Sequence, residues 1–396
     1  MSSRTRNSIT ILLLILLVAG AFTAGYFVSE LRTKGNQVHA DEEFDVFWEA
    51  WKLIDENYIG QLPVEQQRTY GAIRGSLETL EDPYTVFIEP VVRDLEREQL
   101  QGSFGGIGAY ISRPEDGVDV VLEPIPGNPA EKAGILSGDV LIAVDGEPIT
   151  ADFTVAEIAD LVKGEKGTIV VLTVLHQGTD KAVDIDVIRD DILIPSVTYH
   201  LLEQYPIIGY IRLSRFSAES GQEVADALTD LEEQGATGYI LDLRQNRGGL
   251  LNAAVDVADQ FLGEGPVVIQ QSTDEGQRIF DSTADTLVPD APLLVLVDGG
   301  TASAAEIVAG ALRDRERAQL VGNEPTYGKG SVQLVFDLSD GSSVHVTSAR
   351  WLTPNGTQLD GQGLEPDIMV EITQEALDNG RDEVLDQAVE FLGADE

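Results

Sequence analysis

Hydrophobic and polar positions divide the chain into stretches of different period. Ile9–Val28, "ITILLLILLVAGAFTAGYFV", carries no charge. At a helical rise of about 1.5 Å per residue it would span about 30 Å of hydrocarbon. Arg4 and Arg6 precede it, so a transmembrane anchor over 9–28 with a cytoplasmic segment 1–8 is expected. The rival is a cleaved signal peptide with "VHA" at Val38–Ala40 as its cleavage site, but that triplet lies far beyond the apolar run. The region 29–100 reads as helical. Phe44, Phe47, Trp48, Trp51 and Ile54 recur at helical spacing, which suits a packing stripe or a partner contact.

The period changes at 101–190. "GSFGGIGAYI" is a glycine-rich entry into a strand. "VVLEPIPGNPAEKAGILSGDVLIAVDGEPI", Val120–Ile149, alternates strand, short helix, glycine stop, strand and an Asp-Gly turn. "TVAEIADLVKG" reads as a further helix and "GTIVVLTVL" as a strand. This stretch resembles a PDZ domain over nearly its whole length. The resemblance assigns Gly105, Gly106, Ile107 and Gly108 to a loop whose N–H groups bind a peptide's terminal carboxylate. Glycines let successive N–H groups converge on an anion without Cβ obstruction. The neighbouring groove would take the peptide as an added strand. A plain glycine turn is the other reading of these four residues.

Across 191–375 strands and helices alternate. "IGYIRL", "TGYILDLR", "APLLVLVD", "AQLVG", "SVQLVFDL" and "SVHVTSARWL" read as strands, with helices between the earlier ones. A βαβα order predicts a largely parallel sheet with covering helices and ligand sites at the carboxyl ends of its strands. An amphipathic helix closes the chain in 376–396. It and the N-terminal helices are the expected contacts for a homo-oligomer.

Composition narrows the chemistry. The 396 residues exceed one compact core. A formal net charge of -42 argues against nucleic-acid binding and anionic lipid surfaces. Cysteine is absent, which removes thiolate nucleophiles and disulfides. The four histidines, His39, His176, His200 and His345, have neither metal-ligand spacing nor glycine-rich turns around them, so a zinc site and a histidine triad are both disfavoured. No cofactor is expected.

Three glycine-rich loops follow strands: "QNRGGL" at 245–250, "GGTASAAE" at 299–306 and "PTYGKGSVQ" at 325–333. Ser303 opens a Ser-x-x-Glu capping box. It equally suits a nucleophile at a strand-to-helix turn, with the Ala304 N–H and the helix N-terminus near the attacked carbonyl. Such a serine needs a base. Lys329 can serve if burial keeps it neutral, and Gln333 falls on the same strand face by period-two counting. A solvated lysine is the bland reading. A phosphate loop fails on spacing, since Gly322 lies one residue too far from Gly328 and Gly330 replaces the required hydroxyl.

Together "DLRQNRGGL", "GGTASAAEIVAGAL", "TYGKGSVQ" and "GQGLEPDI" resemble the carboxy-terminal processing peptidases, serine proteases with an embedded PDZ domain. The resemblance implies Ser303 as nucleophile, Lys329 as general base and Gln333 as its orienting partner. It implies an oxyanion hole from Ala304 and either Gly248 or Gly249. It also implies a PDZ domain that gates the cleft. Three departures stand out: Arg247 where the family usually has proline, Ala305 where it often has a second serine, and a Ser303-to-Lys329 separation of 26, one more than expected. The expected architecture is α/β multidomain: a transmembrane helix, a helical segment, and a PDZ domain inserted before a βαβ-type protease core with a largely parallel sheet. The expected function is a membrane-anchored, extracytoplasmic endopeptidase that captures protein C-termini and cleaves them. The alternative is a non-catalytic scaffold that binds C-termini.

Overall fold

The computed structural model describes residues 44–114, 119–272, 276–283 and 285–393. The chain divides into two compact units, Met1–Ala72 and Ile73–Glu396. In the first, a helix spans 44–57 (α1). Phe47 meets Phe44, Trp48 and Trp51 edge-on, with ring centroids 5.8, 5.1 and 6.4 Å away. Phe44, Trp48 and Ile54 nevertheless stay exposed.

The elements that follow are α2 (Glu65–Glu78), β1 (Val86–Ile88), α3 (Pro90–Gln101), β2 (Ser103–Gly106), β3 (Ala109–Ser112), β4 (Val120–Pro124), α4 (Pro129–Ala133), β5 (Asp139–Val144), β6 (Glu147–Pro148), α5 (Val155–Val162), β7 (Ile169–Leu175), β8 (Val183–Ile188) and β9 (Asp190–Leu193). Strands β3-β4-β5-β7-β8 form one antiparallel sheet, with β6 attached to β5. Its core is Ile107, Leu122, Ile135, Leu141, Ile158 and Leu172 with their neighbours. Strands β2 and β9, which enter and leave this module, pair with each other. Strand β3 lies at the sheet edge.

The rest comprises β10 (Val197–Leu202), β11 (Tyr205–Leu213), α6 (Ser220–Glu233), β12 (Gly238–Asp242), α7 (Leu251–Asp259), β13 (Gly265–Ser272), β14 (Gly276–Ser282), β15 (Leu293–Val297), α8 (Ala304–Asp314), β16 (Gln319–Gly322), β17 (Ser331–Asp337), β18 (Ser343–Leu352), β19 (Ile368–Met369), α9 (Gln374–Asn379) and α10 (Glu383–Gly393). A six-stranded sheet runs β10-β11-β12-β15-β16-β19. In β15, Leu293, Val295 and Val297 face the core built with α6, α7 and α8. Leu294 and Leu296 face a second core containing Val384 and Ala388 of α10. Burial on both faces explains the unbroken apolar run of this strand.

Two expectations are corrected. The sheets are largely antiparallel. Among the described strands, parallel pairing is confined to β11/β12, β12/β15, β15/β16 and β16/β19. Strands β13, β14, β17 and β18 leave that sheet and join β1 in a separate antiparallel one. The reason is connection length: residues 338–342 alone link β17 to β18, and a parallel pair needs a crossover of a dozen residues or more. The second correction concerns the membrane. The expected anchor at 9–28 lies outside the described residues, and among those described no helix is long and apolar enough to cross a membrane. The membrane-anchored, extracytoplasmic assignment is withdrawn, and the homo-oligomer contact offered with it finds no support.

Candidate active site

The loops after β12, β15 and β16 converge at the carboxyl ends of the parallel strands, where such folds hold their sites. Asp298 ties the first two together. Its Oδ1 accepts from the N–H groups of Gln245 and Gly300, each at 2.9 Å. The Thr301 hydroxyl donates to the Leu243 carbonyl at 2.9 Å, and Ala302 N–H to the Asn246 carbonyl at 2.9 Å. Buried Asn246 donates to the Leu213 carbonyl at 2.8 Å and accepts from Gly248 N–H at 2.9 Å.

Ser303 sits where this frame meets α8. Its φ of 58° and ψ of -117° lie where a residue with a Cβ is strained. Gly248 lies against it: a Cβ there would stand 2.8 Å from Ser303 Cβ and 2.9 Å from Ala304 N. Glu306 Oε2 accepts from Ser303 N–H at 2.8 Å, the reverse arm of the capping box. The forward arm, to Ser303 Oγ, is not a well-formed hydrogen bond. The Glu306 carboxylate therefore supplies the well-formed arm of the cap at Ser303.

Glu306 also reaches the third loop. Its carboxylate accepts from the Thr326 hydroxyl at 2.5 Å, Gly328 N–H at 2.7 Å and Lys329 N–H at 2.9 Å. Burial pushes its pKa up, against the pull of these bonds. Its role was hidden in the sequence, where it reads only as the fourth residue of a capping box.

Lys329 is half-buried and forms no ion pair among the described residues. Burial holds its ammonium pKa below the usual lysine value, while the charge of Glu96 pulls the other way. The amine lies 5.4 Å from the centroid of the Tyr84 ring. Burial also pushes the Tyr84 phenol up to about 12, helped by the nearby charge of Tyr327. Gly330 permits a close backbone approach, since a Cβ there would come within 2.1 Å of Asp360 N. This packing accounts for "GQGLEPDI": Gly361 N–H donates to the Gly328 carbonyl at 2.9 Å, and Leu364 N–H to the Thr326 hydroxyl at 2.8 Å.

Ser303, Gly248, Gly249, Lys329 and Gln333 line one cavity of about 1400 Å³. Two expected pairings are not made in this conformation. Among the described residues no hydrogen bond joins Ser303 to Lys329. Gln333 Nε2 instead donates to Ser331 Oγ at 2.8 Å and to Thr347 Oγ1 at 3.5 Å. A register shift between Val332 and Gln333 breaks the simple alternation counted from Lys329.

In the β3 module, the Ile107 carbonyl accepts from Ala130 N–H at 2.7 Å and that of Gly108 from Ile125 N–H at 2.9 Å. Gly105 and Gly106 pair with Asp191 and Asp190 in β9. Gly108, at φ 69°, leads into the edge strand β3.

Residues 207–370 match the model of peptidase family S41. A carboxyl-terminal-processing protease from Synechocystis sp. is 40% identical over 339 residues, covering 85% of this chain and 78% of that protein. The chain belongs to peptidase family S41, the carboxyl-terminal-processing proteases. It is a serine peptidase of that family, with a PDZ domain matched at 120–175. A further match at 23–90 is to the N-terminal domain of the activating protease CtpB. A carboxy-terminal-processing protease from Bartonella bacilliformis is 35% identical over 364 residues, covering 90% of this chain and 82% of that protein. Among solved structures, the photosystem II D1 C-terminal processing protease aligns with a TM-score of 0.46 and 34% identity, covering 83% of this chain and 93% of that one.

Proposed function

We propose that this peptidase cleaves protein chains near their C-termini with Ser303 as nucleophile and Lys329 as general base. The observation that carries the reading is the shared cleft: a serine on a strained turn at a helix N-terminus, and a half-buried lysine without an ion pair among the described residues, both fastened by Glu306. On substrate entry the amine leaves the Tyr84 ring and takes the proton of Ser303 Oγ, which attacks the scissile carbonyl. The resulting ammonium returns the proton to the departing amine, leaving an ester on Ser303. Water, deprotonated by the same lysine, then releases the acyl group.

The oxyanion would be held by Ala304 N–H and a glycine N–H. Gly248 N–H is engaged by Asn246. The Gly248 carbonyl accepts from Phe216 N–H at 3.0 Å. In a trans peptide the N–H points opposite to the carbonyl, so Gly249 N–H turns away from Phe216 and has no partner among the described residues. We assign Gly249 as the second donor. Gln333, held by Ser331 and Thr347, would orient the amine once it has moved.

In the PDZ domain, Gly105, Gly106, Ile107 and Gly108 would bind the substrate's terminal carboxylate, with its last residues added to the free edge of β3. A serine-directed phosphonate probe tests the catalytic assignment. Intact mass should rise by one adduct in the wild type, and by none in Ser303→Ala; an adduct on both would overturn it.

A further inference from the structure

The cleft is electrically unlike the rest of the molecule. The chain carries 68 acidic residues against 26 lysines and arginines, and many of those bases are paired with carboxylates. Arg93, Arg97, Lys163, Lys166, Arg244 and Arg381 are examples. Three other arginines gather in the active-site cavity. Arg215, Arg247 and Arg278 all line it, and none forms an ion pair with a described residue. Glu96 is the acidic residue among the described lining. It is already engaged by Arg93 at 3.0 Å.

The three come from opposite walls. Arg215 and Arg247 flank the bridge between Phe216 and Gly249. Arg247 precedes Gly248, the residue packed against Ser303. Arg215 is steadied by the carbonyls of Ile194 and Pro195. Arg278 stands on β14, its guanidinium 4.6 Å from the Phe280 ring centroid. Phe280 in turn packs edge-on against Trp351 at 6.3 Å, so the cation rests on an apolar platform. Arg215 is half-buried and Arg247 and Arg278 are exposed, so their guanidinium groups are open to an entering anion, and cations gathered in a concave cleft focus the field upon it. Within a strongly acidic chain, this cluster offers an acidic segment a local attraction at the site of chemistry.

We propose that Arg215, Arg247 and Arg278 make the cleft selective for substrates with acidic side chains flanking the scissile bond. The inference rests on the assignment of Ser303 as nucleophile, and deepens it by naming a substrate class. Arg247 contributes most, because it has no hydrogen-bond partner among the described residues and lies two residues from the assigned oxyanion donor. Guanidinium groups take carboxylates by paired hydrogen bonds, which favours Asp and Glu over their amides.

The test uses the full chain and a peptide whose cleavage position has first been read by mass spectrometry. The peptide is remade with Asp, and separately with Asn, at the positions flanking the cleaved bond. The wild type should show kcat/KM at least about tenfold higher for the Asp peptide, the scale of one charge-assisted hydrogen bond. That preference should shrink as salt is raised from about 0.05 to about 0.5 M. In the Arg247→Gln/Arg278→Gln double variant the ratio of the two rates should fall toward unity. A ratio of one or below in the wild type overturns the selectivity and leaves the Ser303 assignment standing. A ratio that survives in the double variant overturns the role of these arginines. Cleavage of both peptides that persists in Ser303→Ala overturns the catalytic reading, and the inference with it.

Discussion

Glu306 Oε2 accepts a hydrogen bond from the backbone N–H of Lys329 at 2.9 Å, and the same oxygen accepts from Ser303 N–H at 2.8 Å. One buried carboxylate thus fixes the backbones of both proposed catalytic residues. Glu306→Ala would leave four donors without their acceptor, at about 1–3 kcal/mol for each that finds no substitute. The expected result is a lowered Tm together with a loss of kcat. Glu306→Gln keeps one acceptor oxygen and should fall between the two. Thermal unfolding and kcat measured on both variants check this, and an unchanged kcat in Glu306→Ala would contradict it.

Lys329 sets the pH dependence. Burial disfavours its ammonium, so the folded protein releases this proton at lower pH than an exposed lysine does. The base form grows as pH rises, and kcat/KM should climb to a plateau with an inflection below about 10.4. Stability follows the same sign. Between the folded and unfolded pKa the unfolded chain holds the proton more tightly, so this group's contribution to stability rises with pH across that window. Glu96 favours the charged amine, so Glu96→Gln should move the kinetic inflection to lower pH. A shift to higher pH would show that Glu96 acts otherwise.

Gly248→Ala places a Cβ 2.8 Å from Ser303 Cβ and 2.9 Å from the Ala302 carbonyl oxygen, at a φ of 97°. Backbone atoms there have nowhere to move. The same Cβ would stand 2.9 Å from Ala304 N, the proposed oxyanion donor, so turnover should drop at least about 100-fold, with a lower Tm. Near-normal kcat in this variant would refute the packing argument.

The PDZ assignment predicts a dependence on the free carboxylate. Amidating a substrate's C-terminus should lower kcat/KM about tenfold or more. Gly108→Val should do the same to an unmodified substrate. Its Cβ would meet Asn128 Cβ at 2.4 Å, and its φ of 69° is unsuited to a branched residue. Equal rates for acid and amide peptides would remove the carboxylate loop from the account.

Much of this was legible in the chain. Ser303 and Lys329 of the proposed site stood out because a serine and a lysine each sat in a glycine-rich loop after a strand. The alternation of β12 and β15 with helices announced the parallel part of the core. What escaped reading was long-range. Strands β17 and β18 look like any apolar strands, and only their short connection signals that they form a hairpin outside the parallel sheet. Counting by twos from Lys329 to Gln333 failed at a bulge that no residue type announces. Tyr84 lies 245 positions before Lys329, and nothing in either local sequence links ring to amine. The glycines around Lys329 looked like slack, yet Gly330 is required by the close approach of Asp360.

Mass spectrometry of fragments from an unstructured protein with an apolar C-terminus tests the central claim most directly. Wild type should release C-terminal fragments, and Ser303→Ala, folded to the same Tm, should release none. The same fragments at the same rate from both proteins would contradict the assignment of Ser303 as the nucleophile.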